Sequence, residues 1–346
     1  MRRSSIAILV ALTMVAGTAP AAGLLFRLVT TTVNRLMITV LPPGEVNPSN
    51  MAVVDGDMMR ASMEDQAAAR MIHAGDAHAF ATGRGVVVAV LDAGFDLSHP
   101  VLSGHLLDGI DTLDMDSDPN DLGNGYDDYG EGTPDNAVGH GNFVAGMVLL
   151  AAPDAMILPV RVMDDEGYGT NAAIARGLRF ALDRGARIVN ISARAATLLD
   201  TTDVQRALDE AAARGAVVVA SAGNDGKRGL GLIAGDDRTV SVGAVDDTAS
   251  VAAFSNTAGW GEELAVYAPG VDLEGPMTRG AMGVWSGTSF SAGLASGAAA
   301  LCLELDPRSP PGCVRDRIAA SVNPAYDARG RLCSAGVVDL LKVVTR

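Results

Sequence analysis

The sequence predicts an α/β fold in which a doubly wound, mostly parallel sheet carries helices on both faces. Two observations predict it: continuous apolar runs that suit strands covered on both faces, and helical stretches between several of these runs. Strands that alternate with helices in this way form parallel sheets through right-handed crossovers. With 346 residues, 48% of them hydrophobic, the chain can bury a sizeable core.

The predicted strands end in polar residues. The first run, from Gly85, is apolar until it ends at Asp92. Ser192 and Asn224 stand at or just past the ends of two later runs. Active sites of open α/β sheets lie beyond the carboxyl ends of the strands, so these residues are expected to share one edge. The later runs are 156–162, 187–192, 216–221, 239–245 and 264–267.

Two helices between the strands have clear ends. Thr170 to Arg184 carries spaced apolar residues and is followed by Gly185. Thr202 to Arg214 begins with Thr and Asp and is followed by Gly215. Glycine directly after a helix is typical of its C-terminal end.

The N-terminus has the pattern of an export signal. Two arginines precede the apolar run Ile6–Ala16, and Ala19–Ala21 offers a small-residue cleavage site. An uncleaved membrane anchor is the alternative, because apolar character resumes at Gly23. The predicted location is secreted or periplasmic, or, with an anchor, membrane-attached with the main domain outside the cytoplasm.

Three regions are expected along the chain. Residues 1–22 form the signal peptide, 23–66 an N-terminal leader or short prosegment, and 67–346 the main domain. The leader is close to the size, roughly forty residues, below which domains rarely fold unaided. We therefore expect it to be a tether or a poorly ordered segment.

The net charge and the cysteine content argue against some classes of partner and of metal site. The formal net charge of -15 argues against nucleic acid or an anionic membrane as the main partner. Three cysteines allow one disulfide and one thiol in an exported chain. Cys313 and Cys333 lie in polar surroundings and are predicted to pair, whereas Cys302 lies in an apolar helix and is predicted to be buried. None has the ligand spacing of a zinc site.

Four short segments carry residues with catalytic chemistry. Each residue alone has an ordinary interpretation as a turn, cap or surface residue. Together, Asp, His and Ser occur in one of the chain orders known for a Ser-His-Asp triad. The segments are Val-Leu-Asp92-Ala-Gly, Gly-His140-Gly-Asn-Phe-Val-Ala-Gly, Ala-Ser-Ala-Gly-Asn224 and Ser-Gly-Thr-Ser289-Phe-Ser-Ala-Gly.

These segments resemble those of the subtilisin-like serine peptidases, the subtilases, from about Ala67 to Lys342. The resemblance implies a serine endopeptidase with Asp92, His140 and Ser289 as its triad. Asn224, with the Ser289 N–H, would stabilise the oxyanion. It also implies protein or peptide substrates, no cofactor for catalysis and a monomer. The implied substrate-binding residues are Gly167, Tyr168, Gly169, Ser192, Ala193 and Arg194.

Several positions depart from the family pattern. Ala93 replaces a hydroxyl residue, Asn142-Phe143 replaces Thr-His, Gly293 replaces Pro, and Ala193–Ala195 replaces a Leu-Gly-Gly type pocket wall. These departures motivate an alternative: a subtilase-fold pseudoenzyme that acts as a binding or scaffold module. An esterase on an α/β-hydrolase fold is a second alternative, but the segment around the serine lacks the required Gly-x-Ser-x-Gly.

An acidic stretch from Asp111 to Asp135 raises the question of calcium. Alternate Asp residues are typical of calcium loops, but the Gly and terminal Glu of an EF-hand are missing at the required places. The usual high-affinity calcium loop of the family is also missing after Leu149. A calcium site and a solvated acidic surface loop therefore both remain open.

Overall fold

A nine-stranded sheet forms the centre of the fold. The computed structural model describes residues 63–121, 123–128, 134–193 and 201–346, which belong to the unit Asn47–Arg346. The described strands are β1 (Val87–Asp92), β2 (Ile110–Asp111), β3 (Met156–Arg161), β4 (Ile188–Ile191), β5 (Val217–Ser221), β6 (Thr239–Val245), β7 (Val266–Pro269), β8 (Leu273–Pro276), β9 (Met282–Trp285), β10 (Val322–Asn323) and β11 (Val337–Val338).

The sheet has the predicted parallel topology. Its strand order is β10-β11-β7-β6-β5-β4-β1-β3-β2, and β8 and β9 form a separate antiparallel pair. All neighbours in the large sheet are parallel except β10 and β11. The carboxyl ends of β1, β4 and β5 therefore meet at one edge, which confirms the predicted α/β fold.

Helices cover both faces of the sheet. The described helices are α1 (Ala67–Met71), α2 (Ala74–Ala77), α3 (His140–Ala151), α4 (Asn171–Asp183), α5 (Thr202–Ala213), α6 (Thr288–Leu305), α7 (Pro311–Ala320) and α8 (Leu340–Thr345). Alternate residues of β1 point to opposite cores, as the strand period of two requires. Val88 and Val90 join the core that contains α3 and α6, whereas Ala89 and Leu91 join the core that contains α4 and α5.

The helix ends follow local chemistry. α4 begins after Thr170, whose Oγ1 accepts a hydrogen bond of 3.0 Å from the Ala173 N–H. It ends one residue before Arg184, and Gly185 follows with a φ of +79°. Among the described helices, α6 alone is long and apolar enough to cross a membrane, and 89% of it is buried inside the protein.

The predicted signal peptide and most of the predicted leader lie outside the described residues. The end of the leader packs against the main domain. Met63 is buried in the core next to α3. The Gln66 side chain donates to the Glu274 carbonyl at 3.1 Å and accepts from the Glu274 N–H at 3.2 Å.

Candidate active site

Asp92 ends β1 as a fully buried carboxylate. Its Oδ1 accepts a hydrogen bond of 2.8 Å from the Ala93 N–H and one of 2.6 Å from His140 Nδ1. Its Oδ2 is buried and has no hydrogen-bond partner among the described residues. The hydroxyl that the family commonly carries after the aspartate is missing at Ala93. The bond to Nδ1 fixes one imidazole tautomer and leaves Nε2 directed away from the carboxylate.

Two glycines bring His140 to the aspartate. His140 is the first residue of α3, after Gly139 in the left-handed region with a φ of +89°. A Cβ on Gly141 would lie only 2.1 Å from the Gly94 carbonyl oxygen, so only glycine permits this contact. The start of α3 can therefore approach the turn after β1 closely enough for the side chains of Asp92 and His140 to bond.

Aromatic rings surround the imidazole. The His140 ring centroid lies 5.3 Å from that of Phe290 and 5.5 Å from that of Trp285, the latter in an edge-to-face arrangement. Burial favours the neutral imidazole, but the charge and hydrogen bond of Asp92 outweigh it and raise the pKa of His140. The site is thus built to stabilise the imidazolium form.

Ser289 is the second residue of α6 and is almost fully buried, with 6% of its surface exposed. Its backbone carbonyl accepts a hydrogen bond of 3.3 Å from Ser192 Oγ, which also donates to Asn190 Oδ1 at 2.9 Å. These contacts tie the start of α6 to the end of β4. In the described part of the chain, Ser289 Oγ makes no hydrogen bond to His140, a contact that in unliganded enzymes often tightens only with substrate.

Asn224 lies beside the start of α6. Its Oδ1 accepts hydrogen bonds from the Thr288 N–H at 2.9 Å and from Thr288 Oγ1 at 2.8 Å. Because the backbone N–H can only donate, the carboxamide oxygen must face it and Nδ2 must point elsewhere. Nδ2 lies 3.5 Å from the position a Cβ would take on Gly287, two residues before Ser289. The structure therefore brings an amide donor next to the predicted nucleophile.

The predicted substrate-binding residues that the structure describes follow β3 and β4, at the same sheet edge. After β3 the chain makes a tight turn in which the Asp164 N–H donates to the Tyr168 carbonyl at 2.9 Å. Gly169 bridges back to Met163, and Tyr168 is 40% exposed at the turn. Ser192 and Ala193 follow β4, whereas Arg194 lies outside the described residues.

Three residues that depart from the family pattern make specific contacts in the structure. Asn142 Oδ1 accepts from the Asp96 N–H at 2.8 Å and its Nδ2 donates to the Met277 carbonyl, so it links α3 to two loops. Phe143 packs on Phe290 with ring centroids 4.3 Å apart. A Cβ on Gly293 would lie 2.8 Å from the carbonyl oxygen of Val144, so glycine lets α6 pack closely on α3.

The predicted disulfide is wrong, because all three cysteines are free. Cys313 is exposed near the start of α7, a helix that packs by β5 and α6. Cys333 is partly buried and packs against the cluster that contains Tyr267 on β7. Cys302 is buried in α6 as predicted, and burial raises the pKa of its thiol to about 11.

Several carboxylates of the acidic stretch make contacts within the protein. Within the described residues, no group of three or more carboxylate, histidine or cysteine side chains is arranged to hold a metal ion. Asp116 accepts from the Asp118 N–H and Asp118 from the Asn120 side chain, so these carboxylates stabilise their own turns. Asp111 bonds Arg161 instead. A calcium site in the acidic loop 111–135 stays a prediction.

Several residues of the site were not predicted from the sequence. Asn190 is buried within an apolar strand, and its Nδ2 donates to Ser296 Oγ at 3.0 Å. The sequence did show Asn190 as a polar residue inside an otherwise apolar run. Thr288, which holds Asn224, and Trp285, which faces His140, had no signal beyond their closeness to Ser289 in the chain. Asp121 was visible only as one acid among many.

Comparisons with known proteins agree with this geometry. The model of the subtilase family matches residues 83–336. A thermophilic serine proteinase from Bacillus sp. (strain AK1) is 37% identical over 63% of this chain and 52% of its own length. Subtilisin E from Bacillus subtilis (strain 168) is 33% identical over 72% of this chain and 64% of its own length. The chain spans less than two thirds of the length of these relatives.

Solved structures show the same fold. A protease from Pseudoalteromonas arctica PAMC 21717 superimposes with a TM-score of 0.66 at 25% identity, covering 79% of this chain and 93% of that one. A lanthipeptide protease gives a TM-score of 0.67 at 25% identity, covering 80% of this chain and 92% of that one. Because the family model matches residues 83–336, well over half of its length, this chain belongs to the subtilase family.

Proposed function

We propose that this protein is a serine endopeptidase that hydrolyses peptide bonds through an acyl-enzyme on Ser289. The 2.6 Å hydrogen bond between Asp92 and His140 carries the proposal, because it orients an imidazole at the sheet edge where Ser289 also lies. Membership of the subtilase family supports the same chemistry.

His140 is the proposed general base. The serine hydroxyl is too weakly acidic to attack a carbonyl unaided, so Nε2 takes its proton as the bond to the substrate carbon forms. Asp92 holds the tautomer with Nε2 unprotonated and stabilises the imidazolium that results. His140 then returns the proton to the leaving amine, and water repeats the sequence to release the acid.

The oxyanion would be stabilised by two donors. One is the N–H of Ser289, which belongs to the first turn of α6 and therefore has no partner within the helix. The other is Nδ2 of Asn224, which Thr288 orients. The positive end of the α6 dipole adds to this stabilisation.

A peptide substrate would bind as an added strand between Gly167–Gly169 and Ser192–Arg194. Such binding reads mainly the substrate backbone. Arg194 in place of glycine would bring bulk and charge to the pocket for the residue before the scissile bond. If it points inward, small or acidic residues are preferred there. If its stem turns to solvent, the pocket stays open to large apolar residues.

We also propose that the protein is exported and acts as a monomer. The arginines and apolar run at the N-terminus support export. Retention of that segment as an anchor is the alternative, and only then would a membrane be a partner.

Digestion of casein and of a peptide library by the purified protein tests the proposed activity. We expect internal cleavage by the wild type and none by Ser289→Ala, since this change alters little of the packing at a helix start. A folded wild type that cleaves nothing would instead support the pseudoenzyme alternative. Equal cleavage by both proteins would overturn the assignment of the nucleophile.

A further inference from the structure

A second buried carboxyl group, Asp121, lies beside the Asp92–His140 pair. Asp121 is 9% exposed, and its Oδ2 accepts a hydrogen bond from the N–H of Gly139, the residue directly before His140. Its own N–H donates to the Phe95 carbonyl at 3.0 Å, three residues past Asp92. Asp121 thus contacts both segments that carry the pair.

The backbone packing around Asp121 is tight. A Cβ on Gly94 would lie 2.9 Å from Asp121 Cα, and one on Gly141 would lie 2.1 Å from the Gly94 carbonyl oxygen. Gly94 is therefore enclosed between the backbone of Asp121 and the start of α3. The backbone of Asp121 is thus packed against the turn after β1, and the Gly139 N–H binds its carboxyl group.

Within the described part of the chain, each of the two carboxyl groups, Asp92 and Asp121, keeps one oxygen without a hydrogen bond. Asp92 Oδ2 and Asp121 Oδ1 are both buried without a hydrogen-bond partner among the described residues. Burial raises the pKa of Asp121 to about 7, the Gly139 N–H opposes this, and the Asp92 charge adds to it. Arg161 and His140 act in the opposite direction through their positive charges. Perturbed carboxyl groups of this kind cluster at functional sites.

Arg161 does not explain the position of Asp121. Its Nη1 bonds Asp111 and lies 3.4 Å from Asp114, and its Nε donates to the Ala93 carbonyl at 3.0 Å. Both of these nitrogens are thus directed to partners other than Asp121. The Asp121 carboxyl group makes its hydrogen bond to the segment that holds the imidazole.

We propose that Asp121 is a positioning residue for His140. Its hydrogen bond to Gly139 sets the start of α3, and its negative charge favours the imidazolium that forms during catalysis. The inference rests on the proposed role of His140 as general base. It predicts that the basicity of His140 depends on a carboxyl group outside the triad.

The sign of the effect follows from the charges. Ionised Asp121 stabilises the imidazolium and so contributes to the raised pKa of His140. Activity requires neutral His140, so the acid limb of the pH profile lies at higher pH while Asp121 is charged. Removing the charge should move that limb to lower pH. Because the two groups interact, they titrate together and the limb belongs to the pair.

Asp121→Asn is the matched test, because the amide oxygen can still accept from Gly139 while the charge is lost. Asp108→Asn, at an exposed position outside the site, is the control. We expect Asp121→Asn to lower the acid-limb pKa of kcat/KM by on the order of one unit and the control to leave it unchanged. A loss of activity without any shift of the limb would contradict the proposal, because it is the signature of a purely structural role.

A direct titration keeps this test independent of activity. The pKa of His140 is measured by NMR of its imidazole protons in Ser289→Ala, with and without Asp121→Asn. We expect a lower pKa in the double variant and unchanged thermal unfolding. An identical pKa in the two folded proteins would overturn the inference. Activity retained by Ser289→Ala would instead overturn the proposed function, so the two failures are distinguishable.

Discussion

Replacement of Asn224 by alanine tests its proposed role as an oxyanion donor. The change removes Nδ2 and also the oxygen that accepts two bonds from Thr288. Negative charge on the substrate oxygen exists only near the transition state, so the loss should fall on kcat and leave KM nearly unchanged. Removal of one such donor costs roughly a hundred- to a thousandfold in kcat, about 2.7–4 kcal/mol.

Thr288 offers a graded comparison. Its hydroxyl donates to Asn224 Oδ1 and accepts from the Gly223 N–H at 3.1 Å, and the residue is buried. Thr288→Val removes the hydroxyl but keeps the backbone donor, so Asn224 loses one of its two restraints. A hydrogen bond of this kind contributes about 1 kcal/mol, so we expect a fall in kcat of roughly tenfold or less. Thr288→Ser keeps the hydroxyl and serves as the control.

Steady-state kinetics on a chromogenic peptide give kcat and KM for the four proteins. We expect kcat to fall in the order wild type, Thr288→Ser, Thr288→Val, Asn224→Ala, and thermal unfolding of each protein checks that it is folded. A rise in KM at constant kcat for Asn224→Ala would contradict the role of Asn224 as an oxyanion donor. It would show that the carboxamide binds the ground state and not the oxyanion.

Three further predictions concern the triad, the packing of α3 and the cysteines. Asp92→Asn should lower kcat by roughly ten-thousandfold, because the imidazole takes the wrong tautomer; a loss below about tenfold in peptide hydrolysis would contradict this. Gly141→Ala should lower the free energy of unfolding by about 1–3 kcal/mol, measured as a lower melting temperature. Gly312→Ala should leave the melting temperature unchanged, because an added Cβ there meets nothing within 4 Å. In the native protein iodoacetamide should modify the exposed Cys313 but not the buried Cys302. Reduction should not change the mass of the protein; a gain of two hydrogens would show that a disulfide is present.

The strand-end residues could be predicted from the sequence. Asp92 and Asn224 follow apolar runs, and parallel strands bring such ends to one edge whatever the loops do. The ends of α4 at Thr170 and Gly185 were likewise local, since capping depends on neighbouring residues alone. The four motifs, in order and at suitable separations along the chain, then indicated the family.

Contacts that depend on loop packing could not be predicted. Asp121 stands among several acids of similar spacing, and only its contacts with Phe95 and Gly139 separate it from them. The pairing of Cys313 and Cys333 failed for the same reason, because polar surroundings do not report the distance between two elements. The sequence showed that Phe143 departs from the family pattern, but it did not show that this ring packs on Phe290.

Labelling with a fluorophosphonate probe examines the triad itself, because the reaction requires an activated serine and no knowledge of the substrate. We expect about one probe per protein, with the modified peptide containing Ser289, and no labelling of Ser289→Ala or of denatured protein. Folded wild-type protein that takes up no probe, or that takes it up at another residue, would contradict the assignment of Asp92, His140 and Ser289 as a working triad.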